Sequence, residues 1–297
     1  MSSETDAEAP DAPPFLYAPR RRQILQGRNG LIASTLSSAL IVAAILTILF
    51  WAPGGATFRS TFWNPHYLWL ALKGDPHQAV YSVLGGIVTN IWMFLLCEVL
   101  VLVFGLLIAW TRVSTSPILL PFRVLAAVYT DIFRGIPFLL VILMVGYGLP
   151  QLNLPLVSNL SLASYGCIAL TLTYSAYVAE VYRAGLHSVP HGQILAARSL
   201  GLTHYATMRR VILPQAVRTV IPPLLNDFIS LQKDTALVSV IGAVETVRSA
   251  QIGVDTYFNE SAYTMSAILF LVMTIPLTRF TDHLIARDRE RRLAGER

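Results

Sequence analysis

Charge is the scarcest resource in this chain. Of 297 residues only 13% are Asp, Glu, Lys or Arg, while 54% are hydrophobic. A soluble domain carries about 25% charged residues, so the shortfall argues against a cytosolic enzyme. Cysteine is nearly absent too. Cys97 and Cys167 both lie in apolar runs, which excludes a disulfide framework and a cysteine zinc site. They read as small core residues. The six histidines show no metal spacing, so no metal site is expected. No glycine-rich loop ends in Lys-Ser or Lys-Thr, so the chain lacks the phosphate cradle of an ATPase. No nucleophile, base or metal set converges, and no catalytic residue is assigned.

Long uncharged runs are abundant, and the mean hydropathy is +0.57. Residues 1–19 are acidic and rich in alanine and proline, and end before Arg20, Arg21 and Arg22; such a segment cannot build a core, so 1–30 reads as a disordered tail. Residues 31–51 carry no charge and, as a helix, cover about 30 Å, the thickness of the hydrocarbon layer. The run is longer and later than a signal peptide's apolar region and reads as a retained anchor. Further spans are predicted at 85–110, 135–150, 162–183, 212–231 and 262–280. The fold class is therefore an all-α polytopic membrane protein with about six transmembrane helices. Between the third and fourth spans, 146–161 is rich in Gly, Pro, Asn and Ser and reads as a turn. The apolar stretch 235–244 is too short to cross and is expected to be re-entrant or packed inside.

The chain's net charge is +5. With the N-terminus inside, the arginines collect in the inner segments 1–30, 111–134, 184–211 and 281–297, and the outer ones keep Arg59, Lys73, Lys233 and Arg248. This is the positive-inside bias, with both termini cytoplasmic. The basic balance marks orientation rather than a nucleic-acid partner. The outer loop 52–84 holds the aromatic run FWNPHYLW, which suits the membrane surface.

The inner loop 184–211 does not read as a spacer. It is broken at Pro190, Gly192 and Gly201, and helix formers occupy 193–200, with Thr203 as an N-cap for a second helix over 203–213. Two short helices about a glycine corner make a rigid knob suited to docking a soluble subunit. Leu195, Ala196 and Ala197, then Gly201, then Val211-Ile212-Leu213-Pro214 reproduce a known spacing. It resembles the signature loop of the permease subunits of ATP-binding-cassette importers, with Leu195 where that family has glutamate. AYVAEVYRAGLHSVPHGQ, FRGIPFLL and VILPQAVRTVIPPLLNDFISLQKDTALVSVIG are similar to the polar-amino-acid branch, and the resemblance covers roughly 84–280.

The resemblance implies a type I importer permease with its core at 85–283, an additional helix at 31–51, the outer loop 52–84 and a basic tail at 284–297. Gly192, Leu195, Ala196, Ala197 and Gly201 would form a coupling helix. The implied partners are two ATPase subunits, a second permease copy or a related permease, an extracytoplasmic amino-acid-binding protein and the lipid bilayer of a bacterial cytoplasmic (inner) membrane. ATP and Mg would sit on the ATPase partner, with no cofactor on this chain.

Ionisable residues inside spans are functional candidates by default. Glu98 either lines the path or pairs with a basic residue. Asn226 and Asp227 follow Pro222 and Pro223, and proline-broken helices at membrane depth commonly line cavities. Glu180 and Arg183, three apart, meet on one helix face as an ion pair. Lys233 and Asp234 stabilise an outer hairpin or contact a partner. Arg134, Gly135 and Pro137 set helix geometry at the inner end of span three, with the arginine among the headgroups. The rival function is a carrier driven by an ion gradient, but such carriers show a broken helix in each of two repeats. Only 212–231 is strongly broken here.

Overall fold

The computed structural model describes residues 28–51 and 53–295, with side chains at 32, 34–50 and 53–287. Of the tail expected at 1–30, residues 1–27 lie outside the described residues and 28–30 instead open the first helix; the side chains of 288–297 also lie outside them. The chain divides into two compact units, Met1–Ser60 and Thr61–Arg297.

In the first unit, α1 (Arg28–Trp51) is a 24-residue helix that exposes Leu36, Leu40, Ile41 and Ile48. A helix apolar all round with exposed leucines is built for lipid. A short helix α2 (Gly55–Phe62) follows, and in this unit Phe58 packs edge-on against Phe50 at 5.8 Å.

The second unit begins at the outer side with α3 (Pro65–Lys73), capped by Asn64, whose side chain accepts from the His66 N–H at 3.1 Å. The long α4 (Val83–Val113) starts at Ser82, whose hydroxyl accepts from the Gly85 N–H at 3.0 Å. Next come α5 (Leu120–Gly135) and α6 (Phe138–Leu143), bent by 106° about Ile136 and Pro137. The sequence reading leaves 111–134 as an inner loop, but α5 is a helix packed on α4 and on α8 (Leu162–His187). Its start is set by Pro117 and Pro121, which suit first-turn positions, and the break at its end is where Gly135 and Pro137 are expected to act. A π-turn Met144–Gly148 and the short α7 (Leu149–Gln151) lead into the turn before α8.

Beyond α8 lie α9 (His191–Ser199), α10 (His204–Thr207) and a second π-turn, Met208–Ile212. The helix α11 (Leu213–Asp234) then returns outward with Pro222 and Pro223 inside it. The stretch 235–244 is packed inside: it opens as a 3₁₀ turn, Thr235–Ile241, with Val238 and Ile241 buried. The outer connection also contains a helix not foreseen in the sequence, α12 (Thr246–Tyr257), before α13 (Ser261–Gly295).

Among the described residues, the helices Val83–Val113, Leu162–His187 and Ser261–Arg287 are each long and apolar enough to cross a membrane, and counting bent pairs as single spans brings the total to six. The core joins α4, α6, α8, α11 and the 3₁₀ turn through Met93, Cys97, Ile142, Leu170, Leu231 and Val238. Cys97 and Cys167 are buried free thiols within it. Ala71, Val83, Ala250 and Ala262 form a smaller core where α3, α4, α12 and α13 meet.

Candidate functional site

Two inner features carry the functional argument: a cavity between α8 and α11 that holds charged side chains, and the corner formed by α9 and α10. The cavity, about 280 Å³, is lined by Arg134, Tyr177, Glu180, Thr219, Pro223 and Asp227, with Val181, Ala184 and Gly185 at its wall. Helical spacing explains the set. Tyr177, Glu180, Val181 and Ala184 follow one face of α8, and Thr219, Pro223 and Asp227 recur every four residues on α11. Pro223 has no N–H, so the Thr219 carbonyl loses its helical donor on that same face. Gly185 lets the two helices close: a Cβ there would come within 2.1 Å of Val220 Cγ1.

Glu180 and Arg183 do form the ion pair their spacing predicts, through two Nε contacts at 3.1 and 3.0 Å and a further Nη2 contact. Two arginines join them from far along the chain. Arg112 Nη1 donates to Glu180 Oε2 at 2.8 Å and to Thr130 Oγ1 at 2.9 Å, and Arg134 Nη1 stands 4.0 Å from Glu180 Oε2. One carboxylate thus faces three guanidinium groups, which leaves the cluster net positive. Arg134 is not simply a headgroup anchor: its guanidinium lies 5.9 Å from the Tyr177 ring centroid and lines the cavity. Local spacing gave no signal for Arg112 or Tyr177.

Asp227 lines the cavity, and its buried Oδ2 has no hydrogen-bond partner among the described residues. Glu98 does not line it but falls within electrostatic reach of Asp227. Asn226, paired with Asp227 in the sequence reading, is exposed on another side of α11 because adjacent helical residues point about 100° apart. At the outer end of α11, Asp234 accepts from the Tyr174 hydroxyl at 2.7 Å, a local tie, and Lys233 is exposed. A second groove of about 410 Å³, lined by Trp92, Leu96, Phe104 and Ile168 among others, carries no charged side chain.

The inner corner is built as a helix C-cap. Gly201 has φ +82°, a left-handed conformation that costs other L-residues about 1–2 kcal/mol. Around it the Gly201 N–H donates to Arg198 O at 3.0 Å and the Leu202 N–H to Ala197 O at 3.2 Å, the Schellman arrangement. Thr203 caps α10, accepting from the Ala206 N–H at 3.2 Å. The second predicted helix, 203–213, is therefore divided into α10 and a π-turn. Pro214 cannot donate to the Arg210 carbonyl, which accounts for the irregular winding just before it.

The corner turns Ala197 inward, buried, and leaves Gly192, Leu195 and Ala196 exposed. Leu200 is 84% exposed and Tyr205 70% exposed. Such an apolar tip, held by a stiff cap, is suited to a partner's groove.

Residues 102–290 match the family described as binding-protein-dependent transport system inner membrane component. The chain belongs to this family. It is the permease subunit of an ATP-binding-cassette transporter, a multi-pass inner-membrane protein whose ATP hydrolysis occurs on a separate subunit. The carrier rival is thereby set aside. The permease is 36% identical over 186 residues to the probable glutamine ABC transporter permease protein GlnM of Bacillus subtilis, covering 62% of this chain and 83% of that one. It is also 36% identical over 225 residues to the L-cystine transport system permease protein TcyB of the same organism, covering 73% and 91%. A crystal structure of an amino acid ABC transporter with histidines superposes with a TM-score of 0.63 at 34% identity, covering 69% of the permease and 93% of that chain. Among the described residues no group of His, Cys, Asp and Glu could hold a metal ion.

Proposed function

We propose that this permease forms half of an amino-acid import path, with the cavity between α8 and α11 as its substrate contact. The observation that carries the reading is the unpartnered Asp227 carboxylate oxygen in a cavity that Arg134 also lines. A free α-amino acid bears both charges that these groups complement, an ammonium for Asp227 and a carboxylate for Arg134, with the Tyr177 ring beside them. Relatives named for glutamine, arginine and L-cystine support the same class.

The assembly that fits is two permeases, identical or related, over two ATPase subunits, with an extracytoplasmic amino-acid-binding protein delivering substrate from outside. Both termini face the cytoplasm in this arrangement, the helix at 31–51 adds a span, and the loop 52–84 lies outside. The exposed tip of Leu195, Ala196 and Leu200 enters the ATPase groove. Ala197 and Gly201 give that tip its shape, and Gly192 leaves room for close approach. Nucleotide-driven closure moves the tip and opens the path outward to receive substrate, and hydrolysis resets it toward the cytoplasm.

Uptake of radiolabelled L-arginine, L-glutamine and L-cystine into proteoliposomes holding the whole complex tests this. At least one should accumulate with ATP. Replacing Asp227 by Asn removes a charge-assisted bond of about 1.5–3 kcal/mol, which lowers that uptake roughly tenfold to a hundredfold. Unchanged uptake in Asp227→Asn would remove the cavity from the path.

A further inference from the structure

Two glutamines join the inner corner to the cavity helix. Gln215 Nε2 donates to Gln193 Oε1 on α9 at 2.7 Å, and the same amide group donates to Val211 O at 2.9 Å. Both protons of one side-chain amide are thus used, one on α9 and one on the π-turn that precedes α11. Gln215 is also the first member of a stripe. Residues 215, 219, 223 and 227 recur every four positions on α11, and the last three line the cavity. A second, weaker tie joins the end of α8 to this stripe, from Ser188 Oγ to Thr219 Oγ1 at 3.3 Å.

The glycine corner makes a side-chain tie necessary. The chain leaves the helix between α9 and α10, whereas α10, the π-turn and α11 wind on as one irregular helix in which the Leu213 N–H donates to Met208 O, so α9 has no continuous helix through which to push. Gly201, the only described bend between α9 and α10 with a left-handed backbone, lets the corner turn back so that Gln193 meets Gln215.

We infer that the Gln193–Gln215 bridge is the positioning link that makes α9 and the inner half of α11 move as one body, carrying the coupling helix's displacement to the cavity. It rests on the permease reading in which α9 meets the ATPase. Neither glutamine touches substrate in this account; both act through Thr219, Pro223 and Asp227.

The test uses the full reconstituted complex with spin labels at Ser199→Cys on α9 and Val217→Cys on α11, both exposed positions, while Cys97 and Cys167 stay buried. The distance distribution is compared without nucleotide and after trapping with ATP and vanadate. It should be the same in the two states for the native bridge. It should shift or broaden on trapping in Q193L, which leaves the Gln215–Val211 bond in place, and in Q215L. The pair Q193E with Q215K, which replaces the amide bridge by an ion pair, should return the native behaviour. A shift in the native complex, or none in Q193L, would overturn the inference. Because this readout needs no transported ligand, it stands apart from the amino-acid proposal, which fails separately if the native complex imports none of the three amino acids. Where uptake is seen, amino acid imported per ATP hydrolysed should fall about tenfold in Q193L and no further in Q193L with Q215L, since the bond between α9 and α11 is already absent in Q193L. Additive losses would also count against the bridge.

Discussion

The two ends of the second unit are built in opposite ways. At the outer end α3, α4, α12 and α13 are joined by side-chain hydrogen bonds between residues far apart in the chain. Glu245, fully buried, caps α12 by accepting from the Arg248 N–H at 2.8 Å and also accepts from Asn90 Nδ2 at 3.0 Å. Asn90 Oδ1 accepts from the Thr246 N–H at 3.1 Å. Tyr257 donates to Asp75 at 2.7 Å, and the buried Ser261 hydroxyl donates to Thr61 O at 3.2 Å while accepting from the Asn64 N–H at 3.1 Å. At the inner end α9 and α10 expose their apolar tip and are held by a glycine cap and one glutamine bridge. The lesson is a division of labour: the outer end fixes helix positions, whereas the inner end, on the function proposed above, is the part that is pushed.

If that contrast is right, stability should respond at the outer end and coupling at the inner one. The largest loss is expected for Glu245→Ala, which takes the acceptor from one buried Asn90 Nδ2 proton, uncaps the α12 N-terminus inside the protein and leaves a cavity. We expect destabilisation of about 3 kcal/mol, read as a fall in thermal midpoint of the lipid-embedded permease. Next is Gly201→Val, which forces a branched residue into the left-handed region at a cost of about 1–2 kcal/mol. Its stability loss should be local, seen as faster amide exchange confined to 191–207, and a global fall as large as that of Glu245→Ala would erase the contrast.

A smaller effect is expected at Asp75. The Tyr257 hydroxyl and then the backbone around His77 hold its carboxyl below the usual carboxylate range. A lowered folded pKa means that the contribution is fully present above the unfolded value, about 3.9, and fades as pH falls through the lowered one. Thermal scans of Tyr257→Phe against the native chain should therefore differ at neutral pH and converge in acid. A gap that widens in acid would contradict the assignment. Smallest of all for stability is Leu200→Asp, an exposed change within about 0.5 kcal/mol. It sharpens the comparison because coupling should nevertheless collapse.

Much of this was legible in the sequence where the signal is local. Long apolar runs mark the spans, the glycine and alanine spacing about Gly201 marks the inner corner, and Glu180 and Arg183 meet because three residues make nearly one helical turn. What escaped depends on contacts between distant residues. Arg112 reaches Glu180 across 68 residues, and Asn90 reaches Glu245 across 155. No local period encodes such pairs, so Arg134 read as a headgroup anchor and α12 went unforeseen. Asp227 was visible through the two prolines before it, yet only the four-residue recurrence along α11 separates it from Asn226.

The most direct test of the account is ATP hydrolysis by the complete lipid-reconstituted complex carrying Leu200→Asp, measured with amino-acid-loaded binding protein outside. The account predicts a permease as stable as the native one that no longer transmits the stimulation, so hydrolysis stays at the level seen without binding protein. Stimulation equal to that of the native complex would mean that the inner corner is not where the ATPase and the path are joined.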